Sequence, residues 1–338
     1  MLLICLMFFA LPQQGIAAVY EPEELTKDEA ALLGIYAGNG EIFLIREAAG
    51  KLQMVYRYLN DDKDFTRSNF FTLDKEHYDA YTLKECGPAT NAESTLTFDR
   101  DKEGRGVGIK IGDRSYTRKF TSGEDGKPLK ITPKKSWEEL RAAAKAAVVP
   151  NKPFTAEADL VDLASVVPNL HYDLRYTTNN NLFSYPLVTS KKAYLDKEAA
   201  QALGRVQKDL EPYGYGLIVW EAYRSWEDFK LATLALGEKD KSMLPKAEEG
   251  YPHNTGRSID VSLYKLSNGE AVEMLSDFDE ATAAQYRSFV GGSSLQRWQR
   301  DLLRQQMSRE GFASSDMEWW HFDYQPEIKY KLLNVVVQ

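Results

Sequence analysis

"YPHNTGRSIDVSLYKL", residues 251–266, joins a polar loop to a strand. Gly256 lets the loop fold tightly, so that both ends of "HNTGRSID" can face one point. The β-branched and apolar run after Arg257 reads as a strand, a rigid place to hold Asp260. His253 precedes Asp260 by seven positions. Outward from this stretch, "YGLIVWEAY" (215–223) reads as a buried strand and "DMEWWHFDY" (316–324) as a closing one. Between and around them lie helical patterns. "YLDKEAAQALGRVQKDL" (194–210) places Ala199, Leu203, Val206 and Leu210 on one face, with Asp196 as cap. "SWEDFKLATLAL" (225–236) is capped by Ser225, and "LQRWQRDLLRQQMSRE" (295–310) is stopped by Gly311. Helices mixed with few strands predict an α+β domain on a small central antiparallel sheet.

The chain has 338 residues, 43% hydrophobic and 27% charged, which is globular composition and long enough for two domains. A net charge of −8 argues against a nucleic-acid partner. Residues 1–18 read as an export signal, with an apolar run from Leu2 to Leu11 and small residues at Ala17 and Ala18, although no Lys or Arg precedes the run. The run is too short to span a bilayer comfortably. The expectation is a periplasmic or secreted protein with no membrane span once the signal is removed. Of the two cysteines, Cys5 leaves with the signal, and Cys86 alone forms no intramolecular disulfide.

Residues 19–121 read as a small all-β domain, barrel or sandwich. "GEIFLIRE", "KLQMVYRYL", "STLTFDR", "GVGIKIG" and "RSYTRKF" are strand-like runs punctuated by turn residues. "GIYAGNGEIFLIREAAGKLQMVY" (34–56) resembles the lipocalin-like β-domains appended to some penicillin-binding serine hydrolases. The segment contains one histidine, His77, and no catalytic set; a structural, spacing or wall-binding role is expected. Residues 122–153 read as a linker carrying a short helix, with Ser136 and Glu139 spaced as a capping box. The second domain is expected over 154–338.

A hydrolytic zinc site needs three ligands from His, Asp or Glu, an open position for water, and a carboxylate outside the metal shell to take the proton. His253, Asp260 and His321 can supply the ligands and Glu318 the base. Residues three apart on a regular strand face opposite ways. Glu318 and His321 therefore share a site only if the segment is bulged or Glu318 precedes the strand. The alternative for "EWWH" is a satisfied histidine and a surface glutamate beside two core tryptophans.

Together, "EAYRS" (221–225), "HNTGRSID" (253–260) and "MEWWHF" (317–322) resemble the signature segments of the zinc D-alanyl-D-alanine dipeptidases, the VanX type, within the wider zinc D,D-peptidases. "LRYTTNNNLF", "MLSDFD" and "LLRQQMSREGF" fit in the same order, over roughly residues 157 to 328. The resemblance implies one zinc ion on His253, Asp260 and His321, Glu318 as catalytic base, Arg224 on the oxyanion, and Asp279 on the substrate's amino group. It implies hydrolysis of D-alanyl-D-alanine or a similar small dipeptide; the alternative is a D,D-carboxypeptidase or endopeptidase acting on peptidoglycan stem peptides, with a small peptide or peptidoglycan-derived peptide as substrate. Arg224 pairing with Glu221 or Glu227, and Asp279 as a solvated carboxylate, are the alternatives. The chain departs from the family pattern at Tyr251, where a pocket serine is usual. Tyr251 either hydrogen-bonds the substrate carboxylate or blocks the pocket.

Overall fold

The computed structural model describes residues 21–57, 69–85, 94–120 and 128–337. The expected signal over 1–18 and Cys86 lie outside the described residues. A short helix α1 (Lys27–Ala30) leads into strands β1 (Gly34–Gly38), β2 (Glu41–Ala48), β3 (Lys51–Arg57), β4 (Asn69–His77), β5 (Ala80–Glu85), β6 (Ser94–Arg100), β7 (Gly106–Ile111) and β8 (Arg114–Lys119). Each pairs antiparallel with the next, and β8 closes on β1, so the segment is a barrel and not a sandwich. Alternation turns Phe43 and Ile45 inward along β2, where they join Tyr36, Leu73, Leu96, Phe98 and Tyr116 in a filled interior. Strand β4 is hidden in the sequence by Asp74, Lys75 and Glu76, which break its apolar run.

The rest of the chain contains α2 (Trp137–Ala146), β9 (Leu160–Asp162), α3 (Leu163–Val166), β10 (His171–Tyr172), β11 (Tyr194–Asp196), α4 (Lys197–Leu210), β12 (Tyr215–Glu221), α5 (Trp226–Ala235), β13 (Ser258–Lys265), α6 (Ser294–Arg309), β14 (Phe312–Ser314) and β15 (His321–Tyr324). Its main sheet runs β10-β12-β13-β15-β14. All pairs are antiparallel except β10 with β12, which is parallel. The expected antiparallel sheet is therefore mixed at one edge, where a pairing of only two residues left no legible strand signal. Ser136, Asp196 and Ser225 cap α2, α4 and α5 as their spacing predicts, and Gly311 follows α6 at φ 89°. Helix α2, expected within the linker, places Leu140 and Ala144 in the same core as Leu203, Leu217 and Val261.

Along β13, Ile259, Val261 and Leu263 alternate with Asp260 and Ser262. The apolar trio joins Leu203, Val206 and Leu303 in the core, which leaves Asp260 on the opposite face. The loop before β13 is pinned from behind. Arg257 Nη1 donates to Asp196 Oδ1 at 2.6 Å, and both side chains are buried. The same carboxylate accepts from the amides of Glu198 (3.1 Å) and Asp159 (3.1 Å). Gly256 sits at φ 74°, its carbonyl accepting from the Asp196 amide at 2.7 Å, and an added Cβ would lie 2.5 Å from Leu160 Cδ2. Asp196→Ala removes one half of a buried ion pair together with a helix cap. Stability is expected to fall by about 3–5 kcal/mol, read from urea unfolding followed by tryptophan fluorescence.

Candidate metal centre and active site

Sheet register assembles the site. Asp260 lies opposite Glu221 of β12 on one side and opposite His321 of β15 on the other. A register shift between Val219 and Glu221 brings the glutamate into this row. Directly paired residues present their side chains to the same face, so three polar groups from three strands project together. His253 joins from the loop before β13.

The ligand atoms of His253, Asp260 and His321 all lie within 4.8 Å of one another. His253 Nε2 stands 3.1 Å from His321 Nδ1 and 3.3 Å from Asp260 Oδ1, and His321 Nδ1 stands 2.9 Å from the same oxygen. The remaining nitrogens are tied off. His253 Nδ1 is 2.6 Å from the Ala222 carbonyl, which can only accept, and His321 Nε2 is 3.1 Å from Asp323 Oδ1. Donation at those two positions leaves both facing nitrogens as lone pairs in the neutral rings. Two lone pairs and a carboxylate converging in a buried pocket need a cation between them. The donor set fits a divalent ion with nitrogen and oxygen preference.

Protons compete with such a cation for the same positions. Burial alone would lower the pKa of His321, but hydrogen bonds to the Asp260 and Asp323 carboxylates outweigh it and hold the ring well above its usual value. Burial also opposes His253, where the charges of Asp260 and Glu221 prevail and raise it. Burial pushes the Asp260 carboxyl up, yet His253 and His321 hold it below the usual range. The centre therefore carries a strong demand for positive charge, met by protons or by a metal ion.

Glu318 lies just before β15, separated from His321 by a turn at Trp319 and Trp320. This irregularity is what a shared site demands, and it shortens the expected closing strand to His321–Tyr324. Burial, then the Asp260 charge, raises the pKa of Glu318. Both tryptophans are buried, and each packs edge-on against Trp220, at 5.5 and 6.2 Å between ring centroids. Trp319 Nε1 also donates to Ser276 Oγ at 3.0 Å.

Arg224 is 2% exposed, with its Nε 2.9 Å from Glu221 Oε1. Its Nη1 is buried without a hydrogen-bond partner among the described residues. The guanidinium lies over the rings of Tyr176 at 4.6 Å and Tyr251 at 5.1 Å. Tyr251 stacks between Phe229 (4.9 Å) and His253 (5.4 Å), and burial followed by the Glu318 charge lifts its hydroxyl well above the usual pKa. Asp279 accepts from the Tyr176 hydroxyl and adopts φ 53°. Burial, then Glu318, pushes its carboxyl up to about 7. The structure thus gathers Glu318, Arg224, Tyr251 and Asp279 around the triad. His77 and His171 lie outside the metal-ligand group found among the described residues.

Four participants escaped the sequence reading. Glu221 appeared only as a possible salt-bridge partner, yet its Oε2 is 4.0 Å from His253 Nε2 and burial pushes its carboxyl up to about 7. Asp323 orients His321; the spacing in "HFD", two residues on one strand face, was the available signal. Tyr176 holds Asp279 and stands in "LRYTTNN" with no distinguishing pattern. Asn254, fully buried, donates to the Arg224 carbonyl at 2.9 Å, and its own carbonyl accepts from Leu333 at 2.8 Å.

A family model described as D-ala-D-ala dipeptidase, peptidase M15, matches residues 156–335. The chain belongs to this family. It is a metallopeptidase, and similar proteins bear the name D-alanyl-D-alanine dipeptidase. That of Escherichia coli K12 is 27% identical over 52% of this chain and 89% of its own length. That of Enterococcus faecalis is 31% identical over 47% of this chain and 88% of its own. That of Streptomyces coelicolor is 26% identical over 50% and 93%. The barrel lies outside the residues the family model matches. A solved LD-carboxypeptidase, LdcB, aligns at 21% identity and a TM-score of 0.30 over 57% of this chain and 84% of its own, too loose a superposition to inform fold or substrate. Within the metallopeptidase site, Asp323→Ala frees the His321 ring to turn and is expected to weaken metal affinity by about 10–100-fold, measured by competition with a chromogenic chelator.

Proposed function

We propose that the chain hydrolyses D-alanyl-D-alanine or a similarly small dipeptide, with His253, Asp260 and His321 holding one zinc ion and Glu318 acting as general base. The convergence of two oriented imidazole nitrogens and a carboxylate, with a high-pKa glutamate beside them, carries this reading. Zinc at that position would supply Lewis acidity, acidifying a water and polarising the scissile carbonyl. Glu318 takes the proton of the attacking water and returns it to the leaving amine. Arg224 presents Nη1 to the developing oxyanion, a contact typically worth about 3–4 kcal/mol of barrier. Asp279, held by Tyr176, receives the substrate's ammonium, and the Tyr251 hydroxyl receives its carboxylate. The proposed setting is periplasmic or secreted, following from the apolar leader at residues 1–18. Among the described residues, no helix is long and apolar enough to cross a membrane.

Glu318→Ala is expected to retain the metal and to lose about 10²–10⁴-fold in kcat, whereas His253→Ala loses both metal and activity. Metal content and dipeptide hydrolysis measured on the same preparations test this; near-native turnover in Glu318→Ala would remove Glu318 as the base. The base works ionised. Its pKa is raised, so kcat/KM should fall as pH drops through a value above the ordinary glutamate range. An acid limb lying within or below that range would contradict the assignment.

A further inference from the structure

Residues 222–225 join β12 to α5 without regular structure, and Arg224 stands among them. Both backbone groups of Arg224 are spent on the loop of a metal ligand. Its amide donates to the His253 carbonyl at 3.2 Å, and its carbonyl accepts from Asn254 Nδ2 at 2.9 Å. The same Nδ2 reaches the Ser225 carbonyl at 3.3 Å, while Asn254 Oδ1 accepts from the Tyr251 amide at 2.9 Å. Asn254 is fully buried, so these bonds form away from competing water. One side-chain amide thereby joins the segments of Tyr251, His253 and Arg224.

A third stretch, residues 333–335, clamps the two loops from outside. The Leu333 amide donates to the Asn254 carbonyl at 2.8 Å, and the Leu333 carbonyl accepts from the Trp226 amide at 3.0 Å. Asn334 Oδ1 accepts from the Glu227 amide at 2.8 Å, in the first turn of α5. The Tyr223 hydroxyl donates to the Val335 carbonyl at 3.1 Å and accepts from the Val335 amide at 2.9 Å. The residues on both sides of Arg224 are thus tied to the stretch that also holds Asn254. At the far end of the side chain, Glu221 and the rings of Tyr176 and Tyr251 orient the plane of the guanidinium. How far Nη1 reaches toward the metal ligands is set by where the backbone of residue 224 stands.

We propose that Asn254 is a positioning residue: with residues 333–335 behind it, it holds Arg224 at a fixed distance from His253, so that the oxyanion donor and the metal site form one rigid frame. This rests on the proposed function, because it takes Arg224 as the donor to the oxyanion. Asn254 lies outside the metal-ligand group and acts through Arg224. A misplacement of about 1 Å in such a frame costs up to about 100-fold in rate. The His253 ring keeps its own contact with the Ala222 carbonyl, so loss of the Asn254 amide is felt at Arg224 and not at the metal.

The test is a double-mutant cycle on the zinc-loaded full chain with D-Ala-D-Ala, joined to zinc affinity from competition with a chromogenic chelator. Asn254→Ala is expected to lower kcat about 10–100-fold, with KM and zinc affinity close to wild type. In an Arg224→Met background, where the donor is already gone, the same substitution should change kcat by less than about twofold. Tyr223→Phe frees residue 335 while keeping the ring; it should lower kcat in the same direction, again only when Arg224 is present. Circular dichroism checks folding, and where Asn254→Ala does not fold, Tyr223→Phe carries the cycle. An equal loss in both backgrounds, a fall in zinc affinity that matches the fall in kcat, or wild-type kcat in the folded variants overturns the positioning role and leaves the dipeptidase reading standing. Absence of dipeptide hydrolysis by the wild-type chain overturns both.

Discussion

Two imidazole nitrogens facing each other at 3.1 Å, with a buried carboxylate beside both, set the terms for the rest of the catalytic part. Without positive charge between them, lone pairs and anion repel in a medium too dry to screen them. The fold therefore spends its polar groups on orientation. The Ala222 carbonyl and Asp323 each occupy the far nitrogen of one ring, so each near nitrogen points inward. Asp323 is itself held by the Ser258 hydroxyl at 2.5 Å. Burial first, and the neighbouring carboxylates after it, raise the carboxyls of Glu221, Asp279 and Glu318 around the centre. A carboxylate of high proton affinity beside a cation site is the arrangement that water-activating hydrolysis requires.

Rigidity comes from the layer behind the site. The buried Arg257–Asp196 pair ties the loop before β13 to the start of α4, and Arg257 also lies over the rings of Tyr324 at 4.5 Å and Tyr330 at 4.2 Å. Asn254 joins three segments, bonding the Arg224 and Ser225 carbonyls while its own carbonyl receives Leu333. The chain near Leu333 is thus a strap across the loop of His253, and the Trp226 amide donates to the Leu333 carbonyl at 3.0 Å. Ligand geometry depends on such supports, since a neutral imidazole that can rotate offers its lone pair to nothing in particular.

The barrel has a different relation to the chemistry. Its interior is packed with side chains, so its contribution lies on the outer face and at the end of β2. Glu47 meets the first backbone amide of α6, that of Ser294, where a carboxylate is favoured by unsatisfied N–H groups and by the helix dipole. That contact joins two regions far apart in sequence.

Much of the site was legible from residue types and local spacing. Caps at Asp196 and Ser225, the tight turn at Gly256, and the pairing of "HNTGRSID" with "EWWHF" as halves of a metal site all rest on local chemistry, which is written in sequence. Glu221 and Asp323 were not legible, because their roles come from cross-strand register and from a shift between Val219 and Glu221 that no local pattern encodes. Strand β4 was missed because exposed Lys75 and Glu76 broke the apolar run, and β10 because it is two residues long. By itself, then, the sequence pointed to His253, Asp260 and His321 as a donor set with Glu318 beside it, through residue types and family resemblance, and to the local turns that present them. Only the tertiary structure decided that Glu221, Asp260 and His321 share one row and that Tyr176 holds Asp279, because long-range pairing and docking are set by which distant surfaces can bury and hydrogen-bond each other.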